Sequence, residues 1–307
     1  MFPQVDSKLL VGQESDTVLN PMVNNMLKGY NVAKHELIWI LQDLVTKSMD
    51  PKVAIVHQIP FFTDHPSFTN IVDKICSGCY LSRNYIALNT LGVSCFTGMS
   101  YLIKKPLLDD LGGLKNYGMY LAEDYFISDH LHERGYKVVL SCWPAQQNIA
   151  NTNLQVYRNR MVRWLRLRLN MIPHIAMVIE PLNETLLLGC LSALALNYHF
   201  QCSVLLAFSA HILLWLILDR ILLGCVQGGP LRFGTLQYLA GWFVKEVTVL
   251  LVFFEGLANM HFVTWGPRTY YLKWGGVISH VAKNDNRASN NSNALPVNSS
   301  RKESTKT

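Results

Sequence analysis

Apolar and polar positions divide the chain into three regimes. Through about residue 150, short apolar runs alternate with helical and turn-forming stretches; from Leu154 to Ile172 apolar residues recur at helical spacing; from Leu186 to Cys225 apolar sequence is almost continuous. The first regime predicts alternating strands and helices. A short strand over Lys8 to Val11 leads through a polar loop to a helix that opens at Asn20 and Pro21, a capping residue followed by one preset for the first turn. Leu37 to Ile40 and Val53 to His57 are compact apolar runs of buried-strand type, and the helical stretch between them, Gln42 to Met49, suggests a parallel unit. Further on come a helix over Ser67 to Ser82, a strand within Ser94 to Ile103, and a short helix from Lys105 and Pro106 that stops at Gly112 and Gly113. A helix over Ala122 to Arg134 ends at Gly135 and is followed by a last strand, Lys137 to Leu140.

In the second regime Leu154, Tyr157, Met161, Leu165, Leu169 and Ile172 make one stripe, with Arg160, Arg163 and Arg166 on a separate one, as in an interfacial helix. The third regime accommodates two membrane helices between Leu186 and Cys225. There Asn197, His199, Gln201, His211 and the pair Asp219 and Arg220 turn inward, and the histidines serve as hydrogen-bonding groups between helices. A third candidate, Leu236 to Met260, carries Lys245 and Glu246 near its middle, charges that must pair, face a cavity or lie at the interface. From Asn284 onward the tail is rich in Asn, Ser and Lys, a disordered composition. The divisions that follow are an α/β domain over 1–150, the amphipathic helix over 151–182, membrane helices over 183–260 and a C-terminal segment over 261–307.

Composition agrees with this division. Half of the 307 residues are hydrophobic and only 16% are charged, low for a wholly soluble chain. The net charge of +6 is concentrated in Arg158 to Arg168 and the tail. That placement suits a membrane surface or a phosphate-bearing ligand, and no aromatic-interleaved basic run of a nucleic-acid module is present. The arginines ahead of the first apolar helix would hold the α/β part in the cytosol. No apolar core of a signal peptide follows Met1. The seven cysteines form no framework; Cys76 and Cys79 lack a second ligand pair and read as packing thiols.

Candidate chemistry centres on Glu123 and Asp124 at the mouth of the 122–134 helix, with Arg160, Arg163 and Trp164 downstream. An acid there can take the proton from an attacking alcohol while guanidinium groups meet a diphosphate leaving group. The plain alternative for Asp124 is a helix cap, worth about 0.3–1 kcal/mol. The plain alternative for the arginines is an anchor to acidic headgroups. Glu123 either orients Asp124 or is solvated, and His57 alone reads as a core or loop histidine. No residues suggest a metal site.

Taken in order, Asn20-Pro21 with Asn24-Asn25, Gly29 to Lys34 leading into Leu37 to Ile40, Val56-His57 with Pro60, Thr97 to Ser100, Ala122 to Phe126, Arg160 to Trp164 and Gly224 to Gly229 resemble the ceramide glucosyltransferases from Phe2 to about Gly276. The resemblance implies a GT-A-like α/β fold, an incomplete Rossmann-type nucleotide-sugar domain followed by C-terminal membrane helices. It also implies inverting transfer of glucose from UDP-glucose to ceramide, at a multi-pass Golgi membrane with the catalytic region facing the cytosol. By that likeness Asp124 is the base, Arg160, Arg163 and Trp164 match an (Gln/Arg)-x-x-Arg-Trp motif at the acceptor and diphosphate, and His57 matches a position tied to substrate access. A divalent cation, magnesium or manganese, is implied as well. The chain departs from the family in starting after its N-terminal membrane helix and first strands, in passing from Ile40 to Leu41-Gln42-Asp43 where the family has an Asp-Ser-Gly carboxylate loop, and in carrying Met22 for a lysine. These departures leave a second reading open, a catalytically inactive homologue acting as a membrane lipid-binding or assembly partner.

Overall fold

A computed structural model describes residues 18–32, 37–38, 42–63, 67–93, 98–148 and 153–283. The strand expected at Lys8 to Val11, the residues that replace the carboxylate loop through Leu41, and Thr97 lie outside them. The α/β part opens with α1 (Pro21–Val32), β1 (Leu37–Ile38), α2 (Gln42–Ser48), β2 (Val53–His57) and β3 (Pro60–Phe62). Next come α3 (Phe68–Ile75), a π-helical segment (Cys76–Leu81) and α4 (Ser82–Thr90), then β4 (Tyr101–Lys104) and α5 (Lys105–Asp109). A 3-10 turn (Leu114–Tyr117), α6 (Glu123–Glu133), β5 (Lys137–Leu140) and β6 (Ala145–Gln147) complete it.

The main sheet has the order β1-β4-β2-β5. β2 and β5 are parallel, whereas β4 runs antiparallel between β1 and β2. The expected parallel unit is therefore corrected: β1 and β2 point the same way but do not pair, because β4 fills the place between them. Side chains alternate across the strands. Ile55 and Ile103 join Ile127 and Leu131 of α6 on one face, and Val56 and Leu102 join Leu44 of α2 on the other. Buried on both faces, β2 reads as an unbroken apolar run. A second, two-stranded parallel sheet pairs β3 with β6.

The helix expected at 67–82 is longer, continuing through the π-helical segment into α4 at Thr90. Ser67 caps it, its Oγ accepting from Asn70 N at 3.2 Å. Cys76 and Cys79 are buried there, Cys79 Sγ against the carbonyl of Asp219, and burial pushes the Cys76 thiol up to about 11. They are packing thiols.

The rest is helical until a small closing sheet: α7 (Leu154–Met171), α8 (Pro173–Leu182), α9 (Thr185–Phe200), α10 (Val204–Gln227) and α11 (Thr235–Leu257), then β7 (Phe262–Trp265), β8 (Arg268–Leu272) and β9 (Ile278–Lys283). Tyr157, Met161, Leu165 and Leu169 of the α7 stripe are buried in a core shared with Val72, Tyr80 and Val252. Two helices, α10 and α11, are long and apolar enough to cross a membrane. The pair α8 and α9, bent by 74°, makes a third candidate if counted as one.

Lys245 and Glu246 are wholly inside. Lys245 Nζ lies 3.2 Å from Glu184 and 2.9 Å from Glu246, and Thr185 Oγ1 donates to Glu246 at 3.2 Å, so the expected pairing is met. Asp219 is turned inward as expected: its partner is Arg83 of α4 at 2.6 Å, with Trp242 Nε1 donating at 3.0 Å, while Arg220 lies over the Tyr238 ring at 5.4 Å. His199 and His211 are corrected. Among the described residues neither has a hydrogen-bond partner, and they make ring contacts with Tyr198, Phe200 and Trp215. Close approach of α9 and α10 at Gly189, where a Cβ would sit 2.8 Å from the His211 ring, leaves no room for a polar partner.

Candidate active site

The site begins with Asn20. Its side chain is fully buried and serves two elements at once: Oδ1 accepts from Met22 N at 2.8 Å to cap α1, while Nδ2 donates to the Tyr120 carbonyl at 2.8 Å and to Glu123. Its own N–H donates to the Gly118 carbonyl at 2.9 Å. Three bonds thus pin the loop that delivers the first turn of α6. Sequence reading found the cap but had no signal for the second role, because the partner lies in a distant element.

Asp124 is half-buried on that first turn. Oδ2 accepts from the backbone N–H of Gly98 at 2.6 Å and Oδ1 from that of Tyr125 at 2.8 Å. Gly98 is needed for close approach, since a Cβ there would meet the carboxylate at 3.1 Å. The Tyr125 bond is the cap-like one; the Gly98 bond comes from outside the helix and aims the carboxylate across the turn before β4. Burial raises Asp124 above the ordinary carboxylate value while the two N–H groups oppose the shift. Glu123, 2% exposed, is pushed up to about 8, first by burial and then by the neighbouring Asp124 charge. Adjacent carboxyls in unlike environments separate into an acid and a base, and Glu123, raised to about 8, is the member that holds a proton at neutral pH.

His57 ends β2 directly opposite Tyr101 of β4. The tyrosine hydroxyl is raised by burial and by Glu123 and Asp124, which ties this end of the sheet to the two acids. His57 is fully buried, edge-on to Tyr85 at 5.8 Å, and burial lowers it to about 3. It is neutral throughout the physiological range.

The arginine stripe separates into unlike members. Arg160 is ion-paired with buried Asp73 of α3 and lies 5.1 Å over Phe62 and 5.8 Å over Trp164. Asp73 stands near 6, raised by burial against the pull of Arg160. Arg166 donates to the carbonyls of Phe262 and Glu255 at 2.9 and 3.0 Å, and Arg158 pairs with Glu255 at 3.3 Å. Arg163 differs: half-buried and 5.4 Å over the Trp265 ring, it has no carboxylate or hydrogen-bonding partner among the described residues. Trp164 is partly buried against the core around Tyr157 and Leu165. Trp265, at the end of β7, carried no motif and was not legible as a site residue. It shares a small core with Leu121, two residues before Glu123, and with Leu167 of α7, and Tyr120 bridges Val277. The C-terminal sheet therefore joins the loop behind Asp124 to the helix bearing Arg163.

Among the described residues no three His, Cys, Asp or Glu side chains gather to hold a cation. Asp43, the acid nearest the altered loop, accepts from Ser141 Oγ and Cys142 N and lies 3.9 Å from Lys47. It is occupied in bracing the end of β5.

Ceramide glucosyltransferase 3 of Caenorhabditis elegans is 35% identical over 90% of this chain and 62% of its own length. Ceramide glucosyltransferase 1 of the same organism is 35% identical over 96% and 63%. The ceramide glucosyltransferase of Komagataella phaffii is 26% identical over 71% and 56%. The chain thus spans about three fifths of the length of the two nematode relatives. The model of glycosyl transferase family 21 matches residues 1–278, and with nine-tenths of the sequence inside that match the chain belongs to glycosyl transferase family 21.

Proposed function

We propose that this chain carries the acceptor-activating half of a GT-A-like, inverting ceramide glucosyltransferase. In this reading the donor is UDP-glucose, the acceptor is the primary hydroxyl of ceramide, and the protein works at the cytosolic face of the Golgi membrane. The observation that carries the reading is Asp124 held by Gly98 and Tyr125 N–H groups beside a proton-bearing Glu123. Asp124 takes the hydroxyl proton as the alkoxide attacks the anomeric carbon, and the bond to the diphosphate breaks on the opposite face. Arg163, a guanidinium without a carboxylate partner among the described residues, meets the departing diphosphate, and the Trp265 ring beneath it fixes its plane. Asp73 holds Arg160, which with Trp164 shapes the wall; His57 lines the end of the sheet as a neutral group.

The test is transfer of labelled glucose from UDP-glucose to short-chain ceramide by membranes expressing the chain, with Asp124→Asn beside it. Transfer that falls 10²- to 10⁴-fold in the variant is expected of a lost general base. A second reading, the inactive lipid-binding or assembly partner, is favoured by the commitment of Asp43 to Ser141 and Cys142. It predicts no transfer from a folded, membrane-bound chain and unchanged ceramide binding in Asp124→Asn.

A further inference from the structure

We propose that α11 does not cross the bilayer but lies in its plane, resting across α3 and α7 with its outward apolar stripe in one leaflet. The inference rests on the reading that the chain works at a bilayer. By length and composition α11 qualifies as a span, yet its start touches the α/β part and its end touches α7 and leads into the sheet that returns to that part. Near its start Gly241 lies against Ile71 and Ile75 of α3, where a Cβ would come within 3.1 Å of both. Tyr238 and Trp242 share a core with Phe61 of β3. Near its end Gly256 meets Leu165 of α7, Glu255 pairs with Arg158, and the chain passes directly into the sheet that returns to Met119 and Tyr120. An element fixed at both ends to one cytosolic body cannot have those ends on opposite sides of a membrane.

The outward face is what an in-plane helix requires. Leu236, Leu239, Phe243, Val247, Leu251 and Phe254 are exposed, recurring three to four residues apart on one side. From Leu239 to Phe254 no charged residue shares that exposed face, because Lys245 and Glu246 are turned into the protein. The neighbouring α10 presents Leu213, Leu214, Ile217 and Ile221 outward as well, and it is bound to α11 through Asp219 with Trp242 and through Tyr238 Oη donating to the Leu216 carbonyl. The stripe thus continues an apolar surface of membrane type, which selects a lipid leaflet as its occupant.

The experiment uses the full chain in sealed microsomes and in vesicles. Epitopes in the 228–234 loop and after Thr307 bracket α11; an in-plane helix leaves both accessible from the same side, and opposite sides would overturn the proposal. A fluorescent amino acid placed singly at Leu239, Phe243, Val247 or Phe254 gives a second readout by quenching from nitroxide lipids. Equal, shallow depths are expected. A crossing helix would separate Leu239 and Phe254 by about 22 Å along the normal, and that result would overturn the proposal even where the loop epitope disturbs folding. Absence of lipid quenching at all four sites with crosslinking between copies would give the stripe to a second copy of the chain and overturn it likewise. Failure of the wild-type chain to float with membranes would remove the bilayer reading itself, an outcome distinct from a wrong orientation.

Discussion

At the scale of single residues the arginines that look alike in sequence do unlike work. Arg160 neutralises a buried carboxylate, so Arg160→Leu leaves Asp73 buried and unpaired and should cost about 3–5 kcal/mol of stability. Arg163 pairs with no carboxylate among the described residues, so Arg163→Lys should leave thermal stability nearly unchanged. It should instead weaken UDP-glucose roughly tenfold, about 1.4 kcal/mol, since the planar fork that meets phosphate is lost. Melting curves and KM for the donor, measured on both variants, check the contrast. Glu123 gives a signed pH prediction. Its folded value of about 8 lies above its unfolded one, so its contribution to stability is complete below the unfolded value and is lost as pH rises through 8. Glu123→Gln, which mimics the protonated acid, should therefore gain on the wild type as pH rises from the unfolded value to about 8, by roughly 1.4 kcal/mol per pH unit, and hold a constant lead above that, while the two melt alike at pH 4. Parallel pH–stability curves would show that Glu123 is not the proton-holding member of the pair.

At the scale of elements, the central strand β2, the α6 start and the long α7 were legible because their apolar spacing is decided locally. What was not legible depends on contacts between distant segments. β4 inserts between β1 and β2 through pairing that no periodicity records, and Gly78 in the π-helical segment makes room for Leu223 of α10, which would lie 2.3 Å from a Cβ there. Glu123 and Asp124 could be named from their place at a helix mouth. Asn20, Gly98 and Trp265 could not be assigned their roles, because each acts through a partner far along the chain. The glycines of α11 mark the same limit: in sequence they read as small residues in an apolar helix, whereas Gly256 admits Leu165 at 2.5 Å from where a Cβ would stand. Gly256→Val should force α7 and α11 apart and lower stability by about 1–3 kcal/mol. It should also reduce glucose transfer by moving Arg163, whereas substitution at the outward Leu251 leaves both unchanged.

At the scale of the whole molecule, the apolar helices and the α/β part are one cooperative body. α3 and its π-helical extension share one core with Leu223, Tyr238 and Trp242 and another, through Val72, with α7 and Val252. The polar groups buried between them are cross-linked: Arg83 to Asp219, and Lys245 to Glu184 and Glu246. The first of these joins α4 of the α/β part to α10, and the second ties the start of α9 to the middle of α11. Removing Lys245 as Lys245→Met strands two carboxylates away from water, a loss of about 3–5 kcal/mol. Because α11, which carries Lys245, shares its cores with α3 and α7, the loss should appear as one lowered unfolding transition, reported alike by hydrogen exchange in β2 and in α10. Restoring apolar balance with Glu184→Leu and Glu246→Leu in the same chain should recover most of the stability, since a buried ion pair is often replaceable by packed side chains. Two separate transitions, with β2 unaffected by Lys245→Met, would mean that the apolar helices fold apart from the sheet that carries His57 and Tyr101.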